Sequence, residues 1–176
     1  MRTHILEADE AGTCQLRPDH DTVIPTLDRK VIQPLAILDA GAVHPELAGH
    51  KVPFFQFFIN EVCCFQLQED GTWTLVSNFD ATLKWAEPFE EGPEVFSRIA
   101  PVANVALVER DPINERDVGV WFDLGPPRWV QHDDEAPGED EGYVYIGRMD
   151  NYCAAGTIYV YYNPEQRIAW HVCQFS

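Results

Sequence analysis

The sequence predicts an α+β fold, strongly β-rich, built as antiparallel sheets from hairpins with one or two short helices. Three observations carry that expectation. Thirteen prolines and eleven glycines punctuate the 176 residues and leave few windows long enough for a helix. The apolar runs between them are short and rich in Val, Ile, Phe, Tyr and Trp, residues that fit a pleated surface. Two of the breaks, Gln68-Glu69-Asp70-Gly71 and Asn163-Pro164-Glu165-Gln166, are turn sequences between such runs.

The elements follow in chain order. Val31 to Leu38 is apolar but carries Pro34, which a central strand tolerates badly, so an edge strand or extended packing segment is expected. Residues 42–50 fit one helical turn with Pro45 at its first position. Phe54 to Leu67 and Thr72 to Ser77 read as the arms of a hairpin, with Gly71 taking a positive φ. Residues 80–98 are the best helix candidates, divided by Pro88 and Pro93, and Glu94 to Ile99 fits a short helix ended by Pro101. Val102–Val108 and Val118–Leu124 read as strands, the second ended by Gly125-Pro126-Pro127. Strands follow at Tyr143–Arg148, Thr157–Tyr162 and Ile168–Phe175. The last is apolar on both faces, with Ile168, Trp170 and Val172 against Ala169, His171, Cys173 and Phe175, and so belongs inside a sheet.

The length fits a single domain over residues 1–176. At 45% apolar and 12% aromatic, the chain carries the material for a core. Twelve basic residues against twenty-nine acidic ones give a formal charge of −17. Such a surface repels nucleic acid and anionic membrane and attracts basic partners. Met1 to Glu10 lacks the apolar stretch of a signal peptide, and no run approaches the ~20 residues of a membrane helix, so a cytoplasmic location is expected. The five cysteines have no framework spacing, which fits reduced thiols in that compartment. Cys63 and Cys64 would point to opposite faces of a strand.

The C-terminal third holds a recognisable order of features. Pro127, Trp129 and Gln131 precede Asp134, Glu135 and Pro137. Tyr145-Ile146-Gly147-Arg148-Met149-Asp150 comes next, then Gly156-Thr157-Ile158-Tyr159-Val160-Tyr161, then Ala169-Trp170 to Gln174. This pattern resembles the YwqG-like family of bacterial proteins, over roughly a third of the chain. The resemblance implies a β-rich α+β architecture and a bacterial cytosolic setting, with no established general activity. Some relatives carry a zinc-suited Cys pair before the Met/Ile strand. Here no Cys lies between Trp129 and Tyr152, so that metal site is not expected.

Several residues invite a chemical reading. Trp129 and Gln131 share a strand face at i and i+2 and suit a pocket wall with a stacking ring and a hydrogen-bonding amide; a core role is the alternative. His171 and Cys173 likewise share a face; with Cys153 or Cys64 nearby they would suit a metal site or a thiol–imidazole pair, and a core role is the alternative. His132 beside Asp133 and Asp134 lacks the three or four defined ligands that zinc wants. His20, His44 and His50 receive no role. No nucleophile elbow, HExxH, CxxC, Walker loop or GxGxxG is present, so no catalytic residue, metal or cofactor is assigned. Residues 133–141 hold six carboxylates and no basic residue, the pattern of a solvated loop. Tyr159 and Tyr161 suit either an exposed hot spot or a core with hydroxyls at its rim.

The expected function is therefore an acidic protein-binding module, of immunity or inhibitor type, that neutralises a basic protein. Its contact residues would be Asp133, Asp134, Glu135, Glu139, Asp140, Glu141, Tyr159 and Tyr161. The alternative is a small-molecule binder or unorthodox enzyme with a pocket near Trp129, Gln131 and His171.

Overall fold

The computed structural model describes residues 3–16, 22–23, 31–32, 34–55, 61–78, 102–110, 121–133, 135–138, 140–150 and 156–175. Within them lie β1 (Thr3–Ala8), β2 (Cys14–Leu16), β3 (Thr22–Val23), β4 (Val31–Ile32), β5 (Pro34–Asp39), β6 (Lys51–Phe55) and β7 (Glu61–Leu67). After these come β8 (Trp73–Asn78), β9 (Val102–Arg110), β10 (Trp121–Asp123), β11 (Val144–Asp150), β12 (Gly156–Asn163) and β13 (Ile168–Phe175). They form one sheet in the order β4-β3-β8-β7-β13-β12-β11-β10-β1-β9-β2-β5-β6. Neighbours are antiparallel, except that β3 and β8 run parallel. The β-rich, hairpin-built architecture is the one the sequence predicts.

Turn chemistry sets the hairpins. Gly71 takes φ +87°, and its N–H donates to the Gln68 carbonyl at 3.1 Å. Asp70 Oδ1 accepts from the Thr72 N–H at 2.9 Å, the side-chain closure that favours Asp in turns. Asn163 Oδ1 does the same for the Gln166 N–H at 2.9 Å, closing the link from β12 to β13. Pro45 opens a short 3-10 turn, Pro45–Leu47, that follows another at Ala40–Ala42.

Two expectations change. The β5 strand lies between β2 and β6, so Pro34 is not on an edge. It is tolerated as the first residue of its strand, beside a register shift between Pro34 and Ala36. Phe54 to Leu67 is not one hairpin arm. Its start belongs to β6 and its end to β7, and these lie far apart in the strand order. Pro53 explains part of this, since a residue without an N–H suits the terminal strand β6. The helix expectations at 80–98 and Glu94–Ile99 fall outside the described residues, as do positions 118–120 of the strand expected at Val118–Leu124. β1, β2 and β3 had no counterpart among the strands expected from the sequence.

Although β6 ends the strand order, it lies against β12 and β13 from the middle. The sheet therefore folds back on itself and encloses a core. Phe54, Phe55, Cys63, Phe65, Phe122, Ile158, Val160, Tyr162 and Ala169 line that interior. The opposite face of the central strands carries a second cluster: Val62, Cys64, Tyr159, Tyr161 and Val172, with Trp129, Tyr143, Tyr145 and Trp170 packed on it. Cys63 and Cys64 separate to the two clusters, as alternation requires.

Candidate functional site: an acidic strap on an aromatic face

The second cluster exists because the chain after β10 is laid across it. A segment with no ladder partner must satisfy its backbone in another way, and here β12 and β13 supply side chains to do so. Thr157, Tyr159 and Tyr161 alternate onto the outer face of β12, and Trp170, Val172 and Gln174 onto that of β13. The Tyr159 hydroxyl donates to the Arg128 carbonyl at 2.6 Å and accepts from the Val130 N–H at 2.9 Å. Gln174 Oε1 accepts from the Gln131 N–H at 3.2 Å, while its Nε2 donates to the His132 carbonyl at 2.7 Å and to Glu135 Oε2 at 3.3 Å. The Trp170 indole N–H donates to the Glu135 carbonyl at 3.0 Å. Beyond the loop, Asn163 Nδ2 donates to the Glu141 carbonyl at 2.9 Å.

Packing reinforces these bonds. Trp129 stacks on Tyr159 with centroids 4.4 Å apart and planes at 30°, and lies over Tyr161 at 6.4 Å. Trp170 meets Tyr143 edge-on at 5.5 Å. Such pairs add stability beyond the area they bury. Burial pushes the Tyr161 phenol up to about 12, with Tyr159 and Asp133 adding to the shift. The Tyr161 hydroxyl is therefore neutral at ordinary pH.

The strap turns its charge outward. Gln131, His132, Asp133, Asp140 and Glu141 are exposed, and Glu135 is half-buried. Asp134 and Glu139 lie outside the described residues. Tyr159 and Tyr161, expected as partner contacts, are instead buried beneath Trp129; they hold the strap and do not reach past it. Val130 projects with 37% exposure while its backbone is held by Tyr159.

Trp129, Gln131 and His171 do not line one pocket. The two loop residues sit over the outer face, and His171 alternates onto the inner one. There its ring contacts Phe55 and Phe65 at 5.6 and 5.1 Å. Its Nε2 lies 3.0 Å from the Pro53 carbonyl and 3.3 Å from the Phe55 nitrogen. Those are groups of the terminal strand β6, and according to its tautomer the one nitrogen either donates to the Pro53 carbonyl or accepts from the Phe55 N–H. Burial drives its pKa down to about 4, against the opposing bonds to Ala169 and Pro53. Cys64, on the outer face, is separated from His171 and Cys173 by the sheet itself. Burial raises its thiol to about 12, with the Glu141 charge adding to the effect, which makes it a poor nucleophile. Cys153 lies outside the described residues. Among the described residues no three His, Cys, Asp or Glu side chains converge as a metal site.

Sequence reasoning missed Gln174 as the clamp of the strap. The signal was a polar residue inside an otherwise apolar strand, which must find partners when buried. The Trp129-x-Gln131 spacing behind the family resemblance is here the stretch that this clamp and the Tyr159 ring hold down. Among the described residues no helix is long and apolar enough to cross a membrane. Comparison with protein families, with characterised proteins and with solved structures finds no match to this chain.

Proposed function

We propose that the chain acts by binding, without catalysis of its own, as a module that neutralises a basic protein in the manner of an immunity or inhibitor protein. One observation supports this reading above the rest. The backbone of the acidic loop is tied to Trp170 at Glu135 and to Asn163 at Glu141, and Tyr159 and Gln174 hold residues 128–132 just ahead of it, so Asp133, Asp140 and Glu141 stand exposed on an ordered support. An ordered strap loses less conformational freedom on docking than a free loop, which favours affinity. The net charge of −17 adds long-range attraction for a cationic partner. Kinship with the YwqG-like family, proposed on the order of features across the C-terminal third, adds no partner of its own.

The test is association kinetics against the protein encoded by the neighbouring gene, with the full chain immobilised. Raising salt from about 0.01 M to about 0.15 M shortens the screening length from ~30 to ~8 Å. The association rate should fall about tenfold or more while dissociation changes little. The combined variant Asp133→Asn, Asp140→Asn, Glu141→Gln should slow association at low salt and lose most of the salt dependence. A salt-insensitive complex, or no complex, overturns the proposal.

A further inference from the structure

A second group of polar side chains lies on the outer face, away from the strap's carboxylates. Phe122 of β10 points into the core, so its neighbours Trp121 and Asp123 point outward. The register pairs Thr3 of β1 with Asp123, and Asp123 with Arg148 of β11. These three side chains therefore stand side by side across three strands. Tyr145 joins them through a β-bulge. Tyr145 pairs with Tyr161 and Arg148 with Tyr159, both outer-face tyrosines, although the two β11 residues are three apart. The extra residue is taken up around Gly147, which adopts φ +156°. A β-carbon there would come within 3.2 Å of the Asp123 carbonyl oxygen and would crowd the Leu124 side chain, so glycine is favoured. Bulges of this kind re-aim side chains.

This group is incompletely satisfied. The Thr3 hydroxyl, the Trp121 indole N–H and the Tyr145 hydroxyl are buried without a hydrogen-bond partner from the protein. Thr3 and Asp123 are each 5% exposed. Asp123 Oδ1 accepts from the Gly125 N–H at 3.0 Å, but its Oδ2 lies 3.8 Å from Arg148 Nε, too far for a direct hydrogen bond. Arg148 Nη1 donates to the Arg128 carbonyl at 3.1 Å, so residues 125–128 cover one end of the group. Unsatisfied buried polar atoms are unfavourable, and proteins keep few of them. Three beside one ion pair call for a reason.

The chemistry of the set selects a ligand class. Asp123 and Arg148 cancel in charge. An anion would meet Asp123, and a cation would meet Arg148 and the indole N–H. The open positions are one pure donor, two hydroxyls that both donate and accept, and one carboxylate oxygen that accepts. The row covers two strand spacings, about 10 Å, so one isolated hydroxyl does not reach all of it. We propose that Thr3, Trp121, Asp123, Tyr145 and Arg148 form a binding site for a small neutral polyol of sugar or sugar-alcohol type.

The experiment titrates the full chain with sorbitol and with methyl glucoside and follows the indole N–H resonances, that of Trp121 being assigned by Trp121→Phe. A saturable shift of that resonance with a polyol, absent with sodium acetate or ammonium chloride, is expected. Thr3→Val and Tyr145→Phe keep shape and remove a hydroxyl. Each should weaken polyol binding about tenfold while leaving unliganded stability unchanged or higher. The absence of a saturable shift with either polyol overturns the proposal. So does an equal shift with acetate, unaltered binding in both variants, or a stability loss in both, which would mean their hydroxyls are already satisfied. The strap variant Asp133→Asn, Asp140→Asn, Glu141→Gln should bind polyol normally, so this result stands apart from the fate of the basic partner.

Discussion

The hairpin of β12 and β13 has two faces built by different rules. Its inner face, with Ile158, Val160, Ala169 and Cys173, is closed by apolar packing against Phe54, Phe55 and Phe65. Its outer face, with Tyr159, Tyr161, Trp170 and Gln174, is closed by a loop whose backbone it binds. One face needs only shape and apolarity, the other needs polar tips at set positions. The first supports the fold and the second supports what the fold presents. That division can be broken from either side.

The largest expected effect comes from the inner face. Phe54 is fully buried and meets Phe122 edge-on at 5.2 Å. Phe54→Ala should cost about 3–5 kcal/mol in urea unfolding, through lost burial and the cavity left behind. Trp129→Ala removes a ring of similar bulk from the outer face, yet should cost clearly less globally. Its effect should instead appear as faster amide exchange at Val130 and Gln131, because the strap detaches as a local unit. Equal global losses would mean that the strap is part of the core.

His171 sharpens the contrast next, because it is the polar exception on the apolar side. Its folded pKa of about 4 lies below the ordinary value near 6.5. Above pH ~6.5 the ring is neutral in both states and contributes no pH dependence. As pH falls from there toward 4 the unfolded chain binds a proton that the folded chain refuses, so stability drops. The total is on the order of 3 kcal/mol, and the contribution is flat below the folded pKa. His171→Gln has no such proton. The difference between wild-type and variant unfolding free energies, measured from pH 7 to pH 4, should carry this slope. A difference that stays flat with pH would show that the ring is not held neutral.

The same contrast explains what the sequence made legible. The nearly continuous apolar run Ile168–Phe175 placed β13 inside the sheet, because both faces are apolar apart from His171 and Gln174, and Asp70-Gly71 marked its hairpin by turn chemistry alone. β1 was hidden because Thr3, His4 and Glu7 interrupt its apolar pattern, and its place depends on β9 and β10, which are roughly a hundred residues or more away. The acidic loop was legible as a loop, but not as a tethered one. Tyr159 and Gln174 hold residues 128–132 ahead of it, Trp170 and Asn163 hold Glu135 and Glu141 within it, and these bonds run mostly to main-chain atoms that any residue could provide. Spacing likewise suggested that Trp129, Gln131 and His171 meet. Which face each one takes depends on how the strap crosses the sheet, a long-range fact that local periodicity does not hold.

The smallest effect tests the outer face at a single atom. Tyr159→Phe keeps the ring under Trp129 and removes only the hydroxyl that bonds Arg128 and Val130. Two orphaned backbone groups result, one carbonyl and one N–H. Both lie near the surface, where water can partly replace the lost bonds, so the cost should be about 1–2 kcal/mol. Because the ring stays, stacking should survive, and the loss should fall on the strap and not on the core. Amide exchange at Val130 should quicken several-fold while the slowest-exchanging amides of β12 and β13 stay as they were. If those amides quicken to the same degree, the hydroxyl supports the whole sheet and the two faces are one cooperative unit. If Val130 does not change, stacking and the Gln174 and Trp170 bonds hold the strap, and the Tyr159 hydroxyl adds nothing to it.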